Sequence, residues 1–317
     1  MRAATAYAHP NIALVKYWGK RNDELNIPAT PSLALTLGDL RTTTHVEETT
    51  SSVVVLDDER VDDNKINGWL AQLRRQFDLP HIRIESSSNF PANSGLASSA
   101  SGFAALTLAT STAFELDLSL QEQCDWARRG SASAARSLHG GFVTLEPREN
   151  TCRVSQILHE NEWDLSVAVA ITSDRSKSTG STIGMTASRD TSPFYEAWTR
   201  TTIDAFGLGL SAVQNKDFPA LAQVAEASCR HMHALMLSTE PSLIYWNAAT
   251  LHCIEAVERM RAGGINVFYT IDAGSHVKAV CESDAVNEVS DRLRQFEGVH
   301  GVVVSSIGGP AQLVSER

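Results

Sequence analysis

No CxxC pair occurs among the five cysteines, at positions 124, 152, 229, 253 and 281, and their number is odd. A disulfide framework and a zinc knuckle are both excluded, and a reducing compartment is expected. Apolar runs approaching the roughly 20 residues of a bilayer span are lacking. The opening stretch, MRAATAYAHPNIALVKYWGK, is broken by polar residues and has no signal-peptide centre. A cytoplasmic protein with no membrane partner is therefore expected. Positive charge is scarce: 27 Lys and Arg stand against 37 Asp and Glu, a net charge of −10. With no basic stripe either, a nucleic-acid backbone is excluded as the main ligand. A small anion is still admissible, because a pocket can gather a few cations locally. Repeats and low-complexity tracts are lacking. His9, His139 and His276 show no HxH or HExxH spacing, so no zinc site is expected. His231 and His233, two apart on a predicted helix, face different directions and read as surface residues.

What is present is a globular profile. The chain has 317 residues, 43% hydrophobic and 20% charged, enough for one large domain or two ordinary ones. AYAHPNIALVKYWG reads as strand, and SLALTLGDLRTTTHVEETTSSVVVLDD as short antiparallel strands with β-branched residues. DDNKINGWLAQLRRQFDL carries Ile66, Trp69, Leu70, Leu73 and Phe77 at helical spacing behind an Asp/Asn cap. HIRIESS is a strand, followed by a Ser/Gly loop and an apolar helix from about 97 to 114. LQEQCDWARRGSASAARS predicts two short helices meeting at Gly130. GGFVTLEP and CRVSQIL predict a hairpin, and LSVAVAITS a buried strand. DRSKSTGSTIGM is polar and glycine-interrupted, and marks the expected boundary between lobes at 1–177 and 178–317. Helices are expected over 192–213, 218–237 and 242–262, then strand NVFYTIDA, helix DAVNEVSDRLRQF and strand GVVVSSIG. Strands first, then helices, then strand–helix–strand is an α+β order, not the alternation of a doubly wound sheet.

The stretch PANSGLASSASG, running into FAALTLAT, has the makings of an anion cradle. A helix N-terminus offers unpaired N–H groups and partial positive charge. Glycines admit close approach, and serine hydroxyls add donors or a ligand for Mg²⁺. A Walker A loop is absent. A small-residue helix start that lets two helices pack closely is the alternative reading.

Three more stretches stand in order around that loop: AHPNIALVKYWGKR (8–21), GSASAARSLHGGFV (130–143) and FYTIDAGSHVK (268–278). With IPATPSLALTL (27–37) and GSTIGM (180–185), the chain from Ala8 to about Gln312 resembles the diphosphomevalonate decarboxylases of the GHMP small-molecule kinase superfamily. The resemblance implies an α+β GHMP kinase fold. An S5-like N-terminal lobe and a ferredoxin-like C-terminal lobe would enclose the active site in the cleft between them. It implies phosphorylation of a tertiary 3-hydroxyl by MgATP, then loss of phosphate and CO₂ to release isopentenyl diphosphate and ADP. A homodimer is implied as well.

Carried onto this sequence, the resemblance makes Asp272 the catalytic aspartate, where the bland reading is a turn cap. Arg136 would hold the substrate carboxylate and help the departing phosphate, a task its planar fork suits. Tyr17 and Lys20 match diphosphate contacts, and Lys16 a neighbouring lysine that could equally be a solvated strand residue. Strand alternation sets Lys16, Trp18 and Lys20 opposite Tyr17, so Tyr17 and Lys20 share a ligand only if the strand ends or bends near Gly19, as expected. Ser131 and Ser133 match contacts to the diphosphate and the reacting region, with helix capping as the alternative. Asn11 would lie near the substrate hydroxyl, or form a turn beside Pro10. Ser181 and Met185 belong to a substrate-side loop, although Met185 could be core. Asn89, Pro91, Gly95, Leu96, Ala97, Ser98, Ser99 and Ser101 are the expected ATP-binding set, with Ser99 near Mg²⁺. Asn93-Ser94 stands where small alanines are usual, Ser275-His276 where Pro-Asn is usual, and GGPAQ (308–312) varies the C-terminal glycine signature. Competing readings are a 5-phosphomevalonate decarboxylase, a mevalonate 3-kinase, and a GHMP-fold sensor that transfers nothing.

Overall fold

The computed structural model describes residues 2–90, 98–175 and 179–315. The expected opening strand is two strands, β1 (Ala3–Ala8) and β2 (Asn11–Val15), broken at His9-Pro10. Proline has no N–H for a ladder, and its carbonyl instead accepts from Leu37 N at 2.9 Å. Next come β3 (Lys20–Asn22), β4 (Ile27–Pro28), β5 (Ser32–Thr36), β6 (Thr42–Thr49), β7 (Val53–Leu56) and β8 (Glu59–Arg60). Helix α1 (Asn64–Gln76) is capped by Asp63, whose carboxylate accepts from Lys65 N and Ile66 N. It buries Ile66, Trp69, Leu70 and Leu73, the stripe its spacing predicts. Strand β9 (His81–Ser88) leads to α2 (Ser98–Ala113), α3 (Leu120–Gly130), α4 (Ala134–Ser137), β10 (Phe142–Pro147), β11 (Cys152–Leu158) and β12 (Leu165–Ile171). The remainder is α5 (Ser181–Thr191), α6 (Tyr195–Gln214), α7 (Phe218–Leu237), α8 (Ala248–Ala262), β13 (Val267–Thr270), β14 (Val277–Glu282), α9 (Val286–Arg294), β15 (Gly301–Ser306) and β16 (Gln312–Leu313).

These strands build a sheet in the order β16-β1-β6-β9-β7-β8, a second in the order β11-β10-β5-β2, and a third in the order β13-β14-β12-β15. In the first sheet β7 runs parallel to β9, while β6 and β9 pair antiparallel from Thr42↔Ser88 to Thr49↔His81. Helix α2 packs on β1 and β6 through Ala100, Ala104, Ala105 and Ala109, all fully buried. Its small side chains allow the close approach that larger ones would prevent. The third sheet is all antiparallel and carries α8 and α9.

Three sequence expectations change. GSTIGM opens helix α5 and is not a plain linker: Gly180 takes the N-cap position, and Gly184 and Met185 are buried. Strand β14 goes unread because glycine and serine precede it and a lysine interrupts it. Helix α8 starts at Ala248, not 242, because Asn247 caps it and forms a capping box with Thr250. The boundary expected at 177/178 lies outside the described residues. Strand β12, before it, already pairs with β14 and β15, so by sheet membership it sits with the C-terminal strands. The chain end crosses back, since β16 pairs with β1.

Helix α7 joins the pieces. It packs on both β13 and β2, the two strands whose ends carry the candidate catalytic residues. Ser228 Oγ accepts from Lys16 N at 2.9 Å, and Ile271 N donates to Cys229 Sγ at 3.3 Å. Thr270 Oγ1 donates to the Ala13 carbonyl at 3.0 Å. Two strands from different sheets are thereby fastened together.

Candidate active site

Strand β2 stops at Val15, and Gly19 has φ +122°, in the region that favours glycine. The regular alternation therefore fails where expected, and Lys16, Tyr17, Trp18 and Lys20 all line one cavity. Its volume is about 470 Å³. Asn11, Ser98, Ser99, Ser131, Ser133, Arg136, Ser181, Met185 and Asp272 line it too, so most of the expected set is brought together.

Asp272 lies two residues past β13. Lys16 Nζ is 2.6 Å from its Oδ1, and Lys278 Nζ is 3.3 Å from its Oδ2. Both lysines are buried, at 1% and 0% side-chain exposure, while the aspartate side chain keeps 25%. Burial alone would raise the Asp272 pKa, but the two ammonium groups outweigh it and hold the carboxyl well below the usual carboxylate range. Lys16 is thus no solvated strand lysine.

Arg136 is buried on α4. Its Nε donates to Asn11 Oδ1 at 3.0 Å and its Nη1 to Ser32 Oγ at 2.5 Å. Asn11 Nδ2 donates in turn to Ser137 Oγ at 2.7 Å and to the Ser133 carbonyl at 3.0 Å. Asn11 is therefore a brace for the guanidinium and not a turn former. Burial lowers the Arg136 pKa to about 10, with Asp272 and Tyr17 opposing the shift. Burial likewise lowers Lys20, against the pull of Asp23. The Tyr17 phenol is pushed above its usual value by burial, and its hydroxyl has no hydrogen-bond partner among the described residues.

A row of hydroxyls crosses the cavity. Ser99 Oγ lies 3.2 Å from Ser131 Oγ, which lies 3.3 Å from Ser133 Oγ. Ser133 holds the N-cap position of α4 without a capping bond, so its hydroxyl is not used for that purpose. Ser98 and Ser99 form the first turn of α2, where backbone N–H groups suit an anion. Pro91, Gly95, Leu96 and Ala97, with Asn93-Ser94, lie outside the described residues. Asn89 and Ser101 stand away from the cavity wall. Asn89 accepts from Arg41 N at 2.8 Å and donates to the Asp39 carbonyl at 2.9 Å, and Ser101 Oγ is 2.7 Å from Thr42 Oγ1. Met185 belongs both to the wall and to a core cluster with Trp18 and Trp198.

Among the described residues, four cationic side chains, Lys16, Lys20, Lys65 and Arg136, line the cavity against one carboxylate, Asp272. An acidic chain has gathered local positive charge, as a polyanionic ligand requires.

Comparison with known proteins fits this geometry. Residues 8–155 match the Diphosphomevalonate decarboxylase-like N-terminal domain, and residues 167–309 the Mevalonate 5-diphosphate decarboxylase C-terminal domain. A human diphosphomevalonate decarboxylase is 36% identical, over 91% of this chain and 79% of its own length. The chain belongs to the diphosphomevalonate decarboxylase family. The enzyme of that name from Candida albicans is 34% identical, over 91% of this chain and 86% of its own. A solved structure described as MDDEF in complex with MVAPP, AMPPCP and magnesium superposes with a TM-score of 0.92 at 33% identity, covering 99% of each chain. Mevalonate diphosphate decarboxylase from Staphylococcus aureus gives 0.92 at 32%, covering 99% of this chain and 98% of its own. The fold is thus the GHMP kinase α+β fold, as the resemblance implied.

The decarboxylase-family site contains residues that sequence reading missed. Lys278 had one signal, a charge alone in the apolar run VKAVC. Lys65 and Asn26 line the cavity, and Ser32 and Ser137 orient Arg136 and Asn11, with nothing local to distinguish them. The surface reading holds for His231 but not for His233, which is 3% exposed with its ring 4.6 Å from that of Trp246. Helix α7 is packed by α6, β2 and β13, so even an offset of two residues reaches a buried face. Among the described residues no group of three His, Cys, Asp or Glu side chains could cage a metal, and no helix is long and apolar enough to cross a membrane. The donors present fit Mg²⁺ in another way: it dehydrates reluctantly and is commonly carried on phosphate oxygens, with the Ser99 hydroxyl at hand.

Proposed function

We propose that this chain catalyses the ATP-dependent decarboxylation of (R)-5-diphosphomevalonate to isopentenyl diphosphate, CO₂, ADP and phosphate. One observation carries the reading: in a member of this family, a carboxylate held by two buried lysines faces a braced, buried arginine across a cation-rich cleft.

Asp272 is the acceptor that aligns the substrate's 3-hydroxyl and takes up its proton as the oxygen bonds to phosphorus. Arg136 holds the substrate carboxylate. Once phosphate leaves C3 with its bonding electrons, those of the C–CO₂ bond form the alkene, and the guanidinium stabilises the departing phosphate. Asn11 fixes the arginine's orientation and sits near the hydroxyl. Tyr17, Lys16, Lys20, Ser131 and Ser133 hold the diphosphate and the reacting region, and Ser181 and Met185 close the substrate side. Ser98 and Ser99, with the loop containing Pro91, Gly95, Leu96 and Ala97, take the nucleotide phosphates. Asn89 and Ser101 brace the strand and helix on either side of that loop. Mg²⁺, held by Ser99 and phosphate oxygens, would supply charge neutralisation at the transferring phosphoryl group.

The lobes of this reading are 1–177 and 178–317. A cytoplasmic setting is supported by five free, buried cysteines, and a homodimer by the family resemblance. The test is ATP-dependent release of CO₂ and ADP from mevalonate, 5-phosphomevalonate and 5-diphosphomevalonate. Equal amounts of both, with the diphosphate only, are expected. ADP without CO₂ would make the chain a kinase, and turnover of the monophosphate alone would move the substrate assignment.

A further inference from the structure

Lys278 is the buried group that the reading above leaves without a task. It sits on β14, an inner strand of its sheet, paired with Thr270 on β13 and Val169 on β12. Its backbone is thus fixed from both sides. The side chain is fully buried and is not among the described residues that line the cavity. Its ammonium nevertheless lies 3.3 Å from Asp272 Oδ2. That oxygen is itself buried, so the carboxylate faces the cleft on its Oδ1 side, the oxygen bonded by Lys16.

Charge balance alone does not ask for this lysine. Lys16 already neutralises Asp272, and a second buried cation carries a desolvation penalty. Geometry does ask for it. A single partner on one oxygen leaves a carboxylate free to turn about its Cβ–Cγ bond. Two cations on different oxygens, one on β14 and one beyond β2, set that rotation. We infer that Lys278 is a positioning residue for the decarboxylation, holding Asp272 Oδ2 from behind so that Oδ1 stays aimed at the substrate hydroxyl.

The inference rests on the proposed function, and the experiment separates the two. Lys278→Met and Lys278→Arg are assayed in the full chain with 5-diphosphomevalonate and MgATP, beside the unsubstituted protein. For Lys278→Met, kcat should fall at least about 10-fold, less than the roughly 10²–10⁴ worth of the acid–base group itself because Lys278 acts only through Asp272. KM for each substrate should stay within about threefold, for the same reason. The charged and titratable groups around the carboxylate are Lys16 beyond β2, Arg136 on α4, Cys229 and His233 on α7, and Lys278 itself, with His276 beside it. Lys278→Arg, which keeps the charge, should restore most of kcat. If Lys278→Met does not fold, Lys278→Gln carries the same expectations. A loss confined to KM, a Lys278→Arg chain no more active than Lys278→Met, or a kcat within about threefold of the unsubstituted chain would overturn the inference. An unsubstituted chain releasing no CO₂ would overturn the proposed function and this inference with it.

Discussion

Replacing Asp272 by asparagine removes the anion that two buried lysines share. Lys16 and Lys278 are 1% and 0% exposed, and their ammonium nitrogens lie 2.6 and 3.3 Å from the two carboxylate oxygens. Asparagine fills the same space but leaves two cations facing one neutral amide. Removing one partner of a buried ion pair typically costs about 3–5 kcal/mol, because a charge is left buried without compensation. At about 2 °C per kcal/mol for a chain of this size, Tm should fall by roughly 6–10 °C in the absence of ligand. Activity falls separately: kcat should drop by about 10²–10⁴, the usual worth of a positioned acid or base. Adding Lys278→Met to Asp272→Asn removes one of the stranded cations. The double variant should recover at least half of the lost Tm while kcat stays low. Thermal unfolding followed by circular dichroism and ADP release in a coupled assay read the two effects apart. An Asp272→Asn protein as stable as the parent, or a double variant no more stable than the single one, would refute the charge argument. Unchanged turnover would remove Asp272 from the chemistry.

Three other outcomes are expected. Arg136→Lys should lower kcat/KM by about 10²-fold: an ammonium keeps the charge but cannot bond Asn11, Ser32 and a substrate carboxylate in one plane, and charge-assisted bonds are worth about 1.5–3 kcal/mol each; steady-state kinetics within fivefold of the parent would contradict this. Gly19→Ala should destabilise by about 2 kcal/mol or more and raise KM for the diphosphate, because φ is +122° and a Cβ would collide with the Tyr195 hydroxyl; adding Tyr195→Phe should relieve the collision but not the backbone strain, and a fully stable Gly19→Ala chain would remove strain from the account. His233 and His276 are held neutral by burial, with pKa values lowered to about 3 and about 4. Their unfolded values are near 6.5, so the unfolded chain binds the extra protons and stability is lost as pH falls from about 6.5 towards 4.5, by up to about 1.4 kcal/mol per unit for each. Urea unfolding at pH 7.5, 6.0 and 5.0 should show that slope, roughly halved in His233→Gln; the same slope in the variant would exclude His233 as a source.

Local pattern made much of the fold legible. The Asp63 cap and the Ile66, Trp69, Leu70, Leu73 stripe define α1 without help from the rest of the chain. The alternation in TTTHVEET and the nearly continuous apolar run LSVAVAI mark β6 and β12 as strands. Signals failed where a neighbour overrides propensity. GSTIGM has the composition of a linker, yet the Gly184 backbone packs against Trp18, so close that a Cβ would strike its ring. Strand β14 reads poorly because its lysine belongs to a charge cluster and not to a core. His233 was misread because helical periodicity describes one buried face, and α7 has more than one.

The site divides in the same way. Residue identity and chain order alone determined the family resemblance, the anion-binding character of the serine loop and the candidacy of Asp272, Arg136 and Lys20, because these depend on short motifs whose chemistry is local. Tertiary structure decided which charges meet. Position 16 follows a strand of the second sheet while 272 follows and 278 lies on strands of the third, the two sheets being bridged by α7, and no spacing along the chain reports their 2.6 and 3.3 Å contacts. It also decided that Asn11 and Ser32, 125 and 104 residues away, orient Arg136. The physical reason is that electrostatic and hydrogen-bond geometry depends on distances through space, whereas sequence periodicity reports only which face of an element avoids water.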